Sequence, residues 1–178
     1  MIGARLYLLT PDGDVPGPQE SGEIVAESPT LFAGYWQDES ATAQVMRGGG
    51  MRTGDIGRFD PDGFLILEGR IKEVIKTGGI TVIPTEIENV LLGHPRVREA
   101  AVVGVPDERW GEAVHAFVTL SPGAASLEVE LMSFCHERLA GYKRPKVIHI
   151  MPDLPRTGIG KIARRRLRDQ VFASRTAE

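Results

Sequence analysis

Apolar and polar positions along the chain follow two different rhythms. Up to about residue 68, short apolar runs are broken by turn residues: Arg5 to Leu9 before Pro11-Asp12-Gly13, then Gly22 to Ala26, then Gly34-Tyr35-Trp36. Gly57 to Asp60 is joined across Pro61-Asp62-Gly63 to Phe64-Leu65-Ile66-Leu67. Strand-length runs separated by Pro-Asp-Gly punctuation predict a hairpin-rich β unit. Glu39 to Met46 fits a short helix, and Gly48-Gly49-Gly50 is expected to end it as a mobile loop.

Beyond Gly69, strand-like and helix-like runs alternate: Glu73 to Lys76, Thr85 to Leu92, Ala100 to Val105, Ala113 to Leu120, Leu127 to Ala140, Lys146 to Ile150 and Lys161 to Phe172. This predicts a compact mixed α/β domain, so the fold class is α/β (α+β), a small antiparallel β subdomain followed by that domain. The boundary falls near Gly69-Arg70-Ile71-Lys72. Thr85 and Glu88 have capping-box spacing for a helix starting at Glu86. In Ala113 to Leu120, Val114, Ala116, Val118 and Leu120 share one face and His115, Phe117 and Thr119 the other, which predicts a sheet covered mainly on one side and a partly exposed His115. Leu127, Leu131, Cys135 and Leu139 recur every four residues, so Cys135 is expected in a buried stripe rather than as a nucleophile.

Composition narrows the classes. The 178 residues include 21 Gly and 12 Pro, with 42% apolar and 25% charged side chains, which suits a turn-rich globular chain and excludes intrinsic disorder. No apolar run approaches the ~20 residues of a membrane helix, and the first residues do not read as a signal peptide; a cytoplasmic location is expected. One cysteine forbids an internal disulfide, and His94, His115, His136 and His149 lack metal-ligand spacing, so no metal site is expected. The run Lys161, Arg164, Arg165, Arg166, Arg168 invites a nucleic-acid reading. A net charge of −3 and the stripe Ala163, Leu167, Val171 argue instead for a helix with one solvated basic face, and no nucleic-acid partner is expected.

Three glycine-punctuated polar segments stand out: Arg52-Thr53-Gly54-Asp55, then Gly69 to Gly79, then Pro155-Arg156-Thr157-Gly158-Ile159-Gly160-Lys161-Ile162. The last lacks the spacing of a Walker P-loop. In this order they resemble the adenylate-forming (AMP-binding) superfamily, most of all acyl-CoA synthetases acting on fatty or aromatic acids. Gly22-Glu23-Ile24, Gly34-Tyr35-Trp36 and Glu86-Ile87-Glu88 extend the resemblance over nearly the whole chain. Two positions depart from the family pattern: Ile159 stands where threonine is usual, and Gly50 where an aromatic residue usually precedes the turn.

The resemblance implies a C-terminal segment: residues 1–68 as the distal β subdomain of a large N-terminal domain, 69–72 as a hinge, and 73–178 as a mobile C-terminal domain. The phosphate-holding loop would lie in the absent N-terminal portion, so this chain alone is expected to be inactive in adenylation. The implied reaction is ATP-dependent formation of an acyl adenylate from a carboxylic acid, followed by transfer to CoA with release of AMP. Nucleotide-binding roles fall on Asp55 and Arg70, the hinge on Lys72, and catalytic roles on Lys161 in the first step and Lys76 in the second. CoA binding falls on Gly78 and Gly79, on Trp110 and Tyr142 as an adenine sandwich, and on Arg144 with Lys143 or Lys146 at phosphate. ATP would bring Mg2+, held mainly by the N-terminal portion. Lys161 also lies in an arrangement that resembles the acetylation signature of bacterial CoA ligases, implying a lysine acetyltransferase as partner. The alternatives are a carrier-protein-loading adenylation domain and a noncatalytic nucleotide- or CoA-binding module.

Overall fold

The structure is a computed structural model that describes residues 3–122 and 127–175. The chain divides into two units, Met1–Lys72 and Glu73–Glu178.

In the first unit, β1 (Arg5–Leu9), β2 (Gly22–Glu27) and β4 (Gly50–Phe59) pair antiparallel in that order, while β3 (Met46–Arg47) and β5 (Leu65–Arg70) share the other edge of β4. The helix α1 (Glu39–Val45) precedes β3 and starts where the Asp38 carboxylate accepts the Ala41 N–H at 2.8 Å, as an N-cap should. The glycine run is not a mobile loop. Met46 pairs with Met51 and Arg47 with Gly50, leaving Gly48 and Gly49 at φ 63° and 84° as a two-residue hairpin turn of the kind that matches strand twist.

The second unit is built on a five-stranded sheet. Its central strand β9 (Gly111–Leu120) pairs antiparallel along its length with β8 (Val97–Asp107). Its other edge carries β10 (Val147–Ile150) in parallel and, at Gly111, β6 (Ile75–Thr77), which continues to β7 (Ile80–Val82). Helices α2 (Pro84–Leu92) and α3 (Glu128–Arg138) supply Ile87, Leu91, Leu131 and Cys135 to one core with Val102, Val114, Ala116 and Val118. Helix α4 (Arg164–Arg175) covers the opposite face with Leu167 and Val171, against Ala101, Val103, Val105, Phe117 and Leu154.

This second core corrects the expectation of a one-sided sheet. His115 is only 3% exposed, and its Nδ1 lies 3.0 Å from Nε2 of His149, whose ring stacks on Phe117 at 4.5 Å between centroids. Helix α2 also departs from its expected start. Pro84 occupies the first turn and Ile83 the N-cap without a side-chain bond, so Thr85 lies one residue inside the helix and makes no capping box. Glu88 turns inward instead. Buried at 7% exposure, it accepts the Val102 N–H at 2.8 Å and two bonds from Arg164, at 2.8 and 3.0 Å, tying α2, β8 and α4 together. Cys135 lies in the buried stripe as expected, and burial pushes its thiol up to about 11.

Candidate functional sites

In the first unit, Asp55 and Arg70 stand opposite one another across the β4–β5 ladder. Opposed residues of an antiparallel pair point to the same face, and here the Arg70 Nε donates to Asp55 Oδ1 at 2.7 Å. The register shifts between Ile56 and Gly57, leaving Glu68 as the extra residue of a bulge. That shift sets Arg70 in line with Asp55. The turn leading into Asp55 is pinned from β2: Glu23 receives Arg52 Nη1 at 2.5 Å and the Gly54 N–H at 3.2 Å, while the Thr53 hydroxyl donates to the Ile24 carbonyl at 2.8 Å and accepts from the Asp55 N–H at 3.1 Å. Gly54 sits at φ 72°, a conformation glycine adopts without strain. A carboxylate offers about four acceptor sites. Arg70 engages one oxygen of Asp55, so a vicinal diol can be held by the other.

In the second unit, Lys161 lies in a tight hairpin. Arg156 bridges Ile162, the Thr157 N–H donates to the Lys161 carbonyl at 2.7 Å, and the Gly160 N–H donates to the Thr157 carbonyl at 2.9 Å. Gly160 has φ 81°, and Ile159 at the tip is 81% exposed. The Ile159 side chain is turned to solvent, so the loss of the usual threonine removes no internal contact. Lys161 is exposed and its ammonium makes no ion pair among the described residues. The basic run that follows is partly spent inside the unit: Arg164 on Glu88 and Glu73, and Arg168 on Glu112 at 3.2 Å.

Another cluster in the same unit gathers around Trp110. Asp107 Oδ1 accepts the N–H groups of Arg109 and Trp110, both at 3.0 Å, and so shapes the β8–β9 turn. The Trp110 carbonyl accepts the Gly78 N–H at 2.8 Å. Gly78 and Gly79, at φ 57° and 80°, form the two-residue turn between β6 and β7, and a Cβ on Gly78 would stand 3.2 Å from the indole. Two cations flank the ring, with the Arg109 guanidinium 4.8 Å and the Lys146 ammonium 5.0 Å from its centroid.

The other sequence-expected residues are placed differently. Tyr142 is 42% exposed with the Lys143 ammonium 5.6 Å from its ring centroid, and no ring contact joins it to Trp110 among the described residues. Lys143 makes an ion pair with Glu86 at 2.6 Å, and this hydrogen bond holds the ammonium above its usual range. Arg144 spends its guanidinium on the C-terminus of α3, donating to the Leu139 and His136 carbonyls, both at 3.0 Å. Lys76 is exposed on β6, and its N–H donates to Glu112 at 2.7 Å. Lys72 lies exposed in a single 3-10 turn, Ile71–Glu73. Among the described residues no group of three or more His, Cys, Asp or Glu side chains could hold a metal, and no helix is long and apolar enough to cross a membrane.

Comparison with known proteins gives these clusters a context. Residues 86–161 match the model of the AMP-binding enzyme C-terminal domain. Among individual proteins, it is 49% identical over 168 residues to a 2-succinylbenzoate–CoA ligase of Geobacillus kaustophilus, covering 94% of this chain and 34% of the ligase. It is 42% identical over 170 residues to a fatty acid–[acyl-carrier-protein] ligase of Streptomyces coeruleorubidus, covering 96% of this chain and 33% of that protein. The crystal structure of ATP-bound MatB from Rhodopseudomonas palustris superimposes with a TM-score of 0.90 at 34% identity, over 96% of this chain and 34% of MatB. The chain spans about a third of the length of these relatives.

Proposed function

We propose that this chain is the C-terminal segment of an ATP-dependent, AMP-forming acid–CoA ligase. The observation that carries the reading is an exposed Lys161 with no ion pair among the described residues, presented on a hydrogen-bonded hairpin, in a chain whose other unit sets Asp55 beside Arg70. In the first step, a substrate carboxylate oxygen attacks the α-phosphorus of ATP. The bond to the β-phosphate oxygen breaks, and acyl adenylate and pyrophosphate result. Negative charge crowds at the α-phosphate, and a fixed ammonium there stabilises the transition state without transferring a proton. Asp55 accepts from the ribose hydroxyls and Arg70 orients that carboxylate. The Mg2+ that accompanies ATP belongs to the N-terminal portion in this reading.

In the second step a thiol attacks the acyl carbonyl and AMP leaves. Residues 69–72, with Lys72, serve as the hinge between the two steps. The turn Gly78-Gly79, with Lys76 on the strand before it, then presents its narrow backbone to the pantetheine arm. Trp110 stacks on adenine, with Tyr142 as the second plane of the sandwich. Lys146 and Arg109 stand beside the indole, while Arg144 and Lys143 are engaged elsewhere; phosphate recognition is therefore assigned to Lys146 and Arg109. Acceptance of a carrier protein in place of CoA is the second reading, favoured by the similarity to the Streptomyces carrier-protein ligase. A cytoplasmic setting suits both, and there Lys161 is open to an acetyltransferase that would cancel the charge the first step needs.

The test joins this chain to the N-terminal portion of the Geobacillus ligase and measures 2-succinylbenzoate-dependent pyrophosphate exchange. The composite should exchange, and the 178-residue chain alone should stay at background. Exchange by the chain alone contradicts the reading.

A further inference from the structure

The hairpin that carries Lys161 has little of its own to hold it. It spans Arg156 to Ile162, contains two glycines, and keeps its shape with two backbone hydrogen bonds at the tip. A two-stranded hairpin this short is marginal in water, and each glycine adds conformational freedom that ordering must remove.

Its base is closed by the Ala163 N–H on the Pro155 carbonyl at 2.7 Å and Ile162 packs against the core that α4 covers, while one polar side chain ties the tip to the sheet. The Arg156 Nη1 donates to the Gly160 carbonyl at 3.0 Å, while Nη2 of the same fork donates to Glu99 on β8. The Gly160 carbonyl belongs to the peptide that links Gly160 to Lys161, so this bond fixes the plane from which the Lys161 side chain starts. Glu99 is itself flanked by Arg98 at 3.8 Å, and Arg98 lies 3.8 Å from Asp153, so the anchor sits in a small charge network on β8 and the segment before the hairpin. Arg156 is 43% exposed, which rules out a role as a core filler. A planar guanidinium can serve both acceptors at once; an ammonium, a point donor on a flexible stem, cannot do so in the same geometry.

We propose that Arg156, anchored by Glu99, is the positioning residue that holds Lys161 in place for the adenylation step. The inference rests on the reading of Lys161 as the charge-stabilising group. Arg156 touches no reacting atom; it acts through the Gly160–Lys161 peptide.

The first measurement is amide hydrogen exchange in the 178-residue chain bearing Arg156→Gln, Arg156→Lys or Glu99→Gln. The Thr157 and Gly160 amides should exchange about 10-fold faster in Arg156→Gln and Glu99→Gln, the size expected for losing a charge-assisted bond. Ala116 in β9 should keep its protection, which separates a loosened hairpin from a destabilised unit. In the composite ligase, the same two variants should slow adenylation about 10-fold and leave thioester formation from supplied acyl adenylate unchanged, with partial recovery in Arg156→Lys. Parent-like exchange at Thr157 and Gly160 in both variants, or equal loss in both half-reactions, overturns the proposal. Lys161→Ala in the composite separates the two ideas. If it leaves adenylation intact, the reading of Lys161 falls while the exchange rates still judge the tether.

Discussion

Arg70 meets Asp55 through its Nε at 2.7 Å, directly across an antiparallel ladder whose bulge at Glu68 sets the register. The pair is half-exposed on the arginine side, with side-chain exposures of 58% and 26% for Arg70 and Asp55, so it contributes little to folding. Its value lies in a preoriented carboxylate. In the composite ligase, Asp55→Asn should raise the KM for ATP by about 10- to 100-fold, the scale of lost charge-assisted bonds to a diol, while the melting temperature of the chain moves little. An unchanged KM for ATP would remove Asp55 from the nucleotide site.

Trp110 and Arg144 should separate cleanly. Trp110→Ala removes the stacking plane and should raise the KM for CoA by about 10-fold, with pyrophosphate exchange unaffected. Arg144→Ala strips two carbonyls at the end of α3 of their donor, and should lower stability by about 1–2 kcal/mol with the KM for CoA near the parent value. Thermal melts and thioester kinetics on the two variants decide the matter. A large CoA defect in Arg144→Ala, with an unchanged melt, would return the phosphate role to that residue.

His149, half-buried against His115, gives the second unit a pH signature. Burial pushes the His149 imidazole below its usual 6.5, against a smaller opposing pull from Glu128. The unfolded chain therefore binds a proton at a higher pH than the folded one, and stability must fall as pH drops below about 6.5, levelling only beneath the folded value. Melting temperatures of the 178-residue chain between pH 7.5 and 5.5 should decline, and less steeply in His149→Phe. An NMR titration placing the His149 midpoint above 6.5 would refute this.

Much of the scaffold was legible in the sequence because local chemistry dictates it. Pro61-Asp62-Gly63 makes the β4–β5 turn, the short helix expected from Glu39 forms as α1, and the four-residue spacing of Leu131 and Cys135 faces α3 inward. What escaped depends on partners distant in the chain. The His115 face of β9 looks half polar by itself, and is buried because Leu154, Leu167 and Val171 return to cover it. Glu88 carries helix-cap spacing, yet Pro84 moves the helix start and frees it to meet Arg164, 76 residues later. Gly48-Gly49-Gly50 reads as a flexible run until strand pairing on either side makes it a turn.

The same distinction holds for the sites. Asp55, Arg70, Lys161 and the Gly78-Gly79 turn stand out because glycines and charges sit where packed elements would be apolar. Arg156 and Glu23 lie in segments that also stood out, whereas Arg109 and Glu99 gave no signal; the contacts of all four appear only in the folded chain. Arg144 illustrates the converse: a cation in a basic turn suggests phosphate, but the exposed carbonyls at the end of α3 lie within its reach and take it.

Lys161→Ala in the composite ligase tests the assignment most directly, with the two half-reactions assayed separately. Pyrophosphate exchange should fall by about 100- to 1,000-fold, the loss expected for one fixed electrostatic group, while thioester formation from supplied acyl adenylate should run at the parent rate. Parent-like exchange, or an equal fall in both steps, would contradict the role given to Lys161.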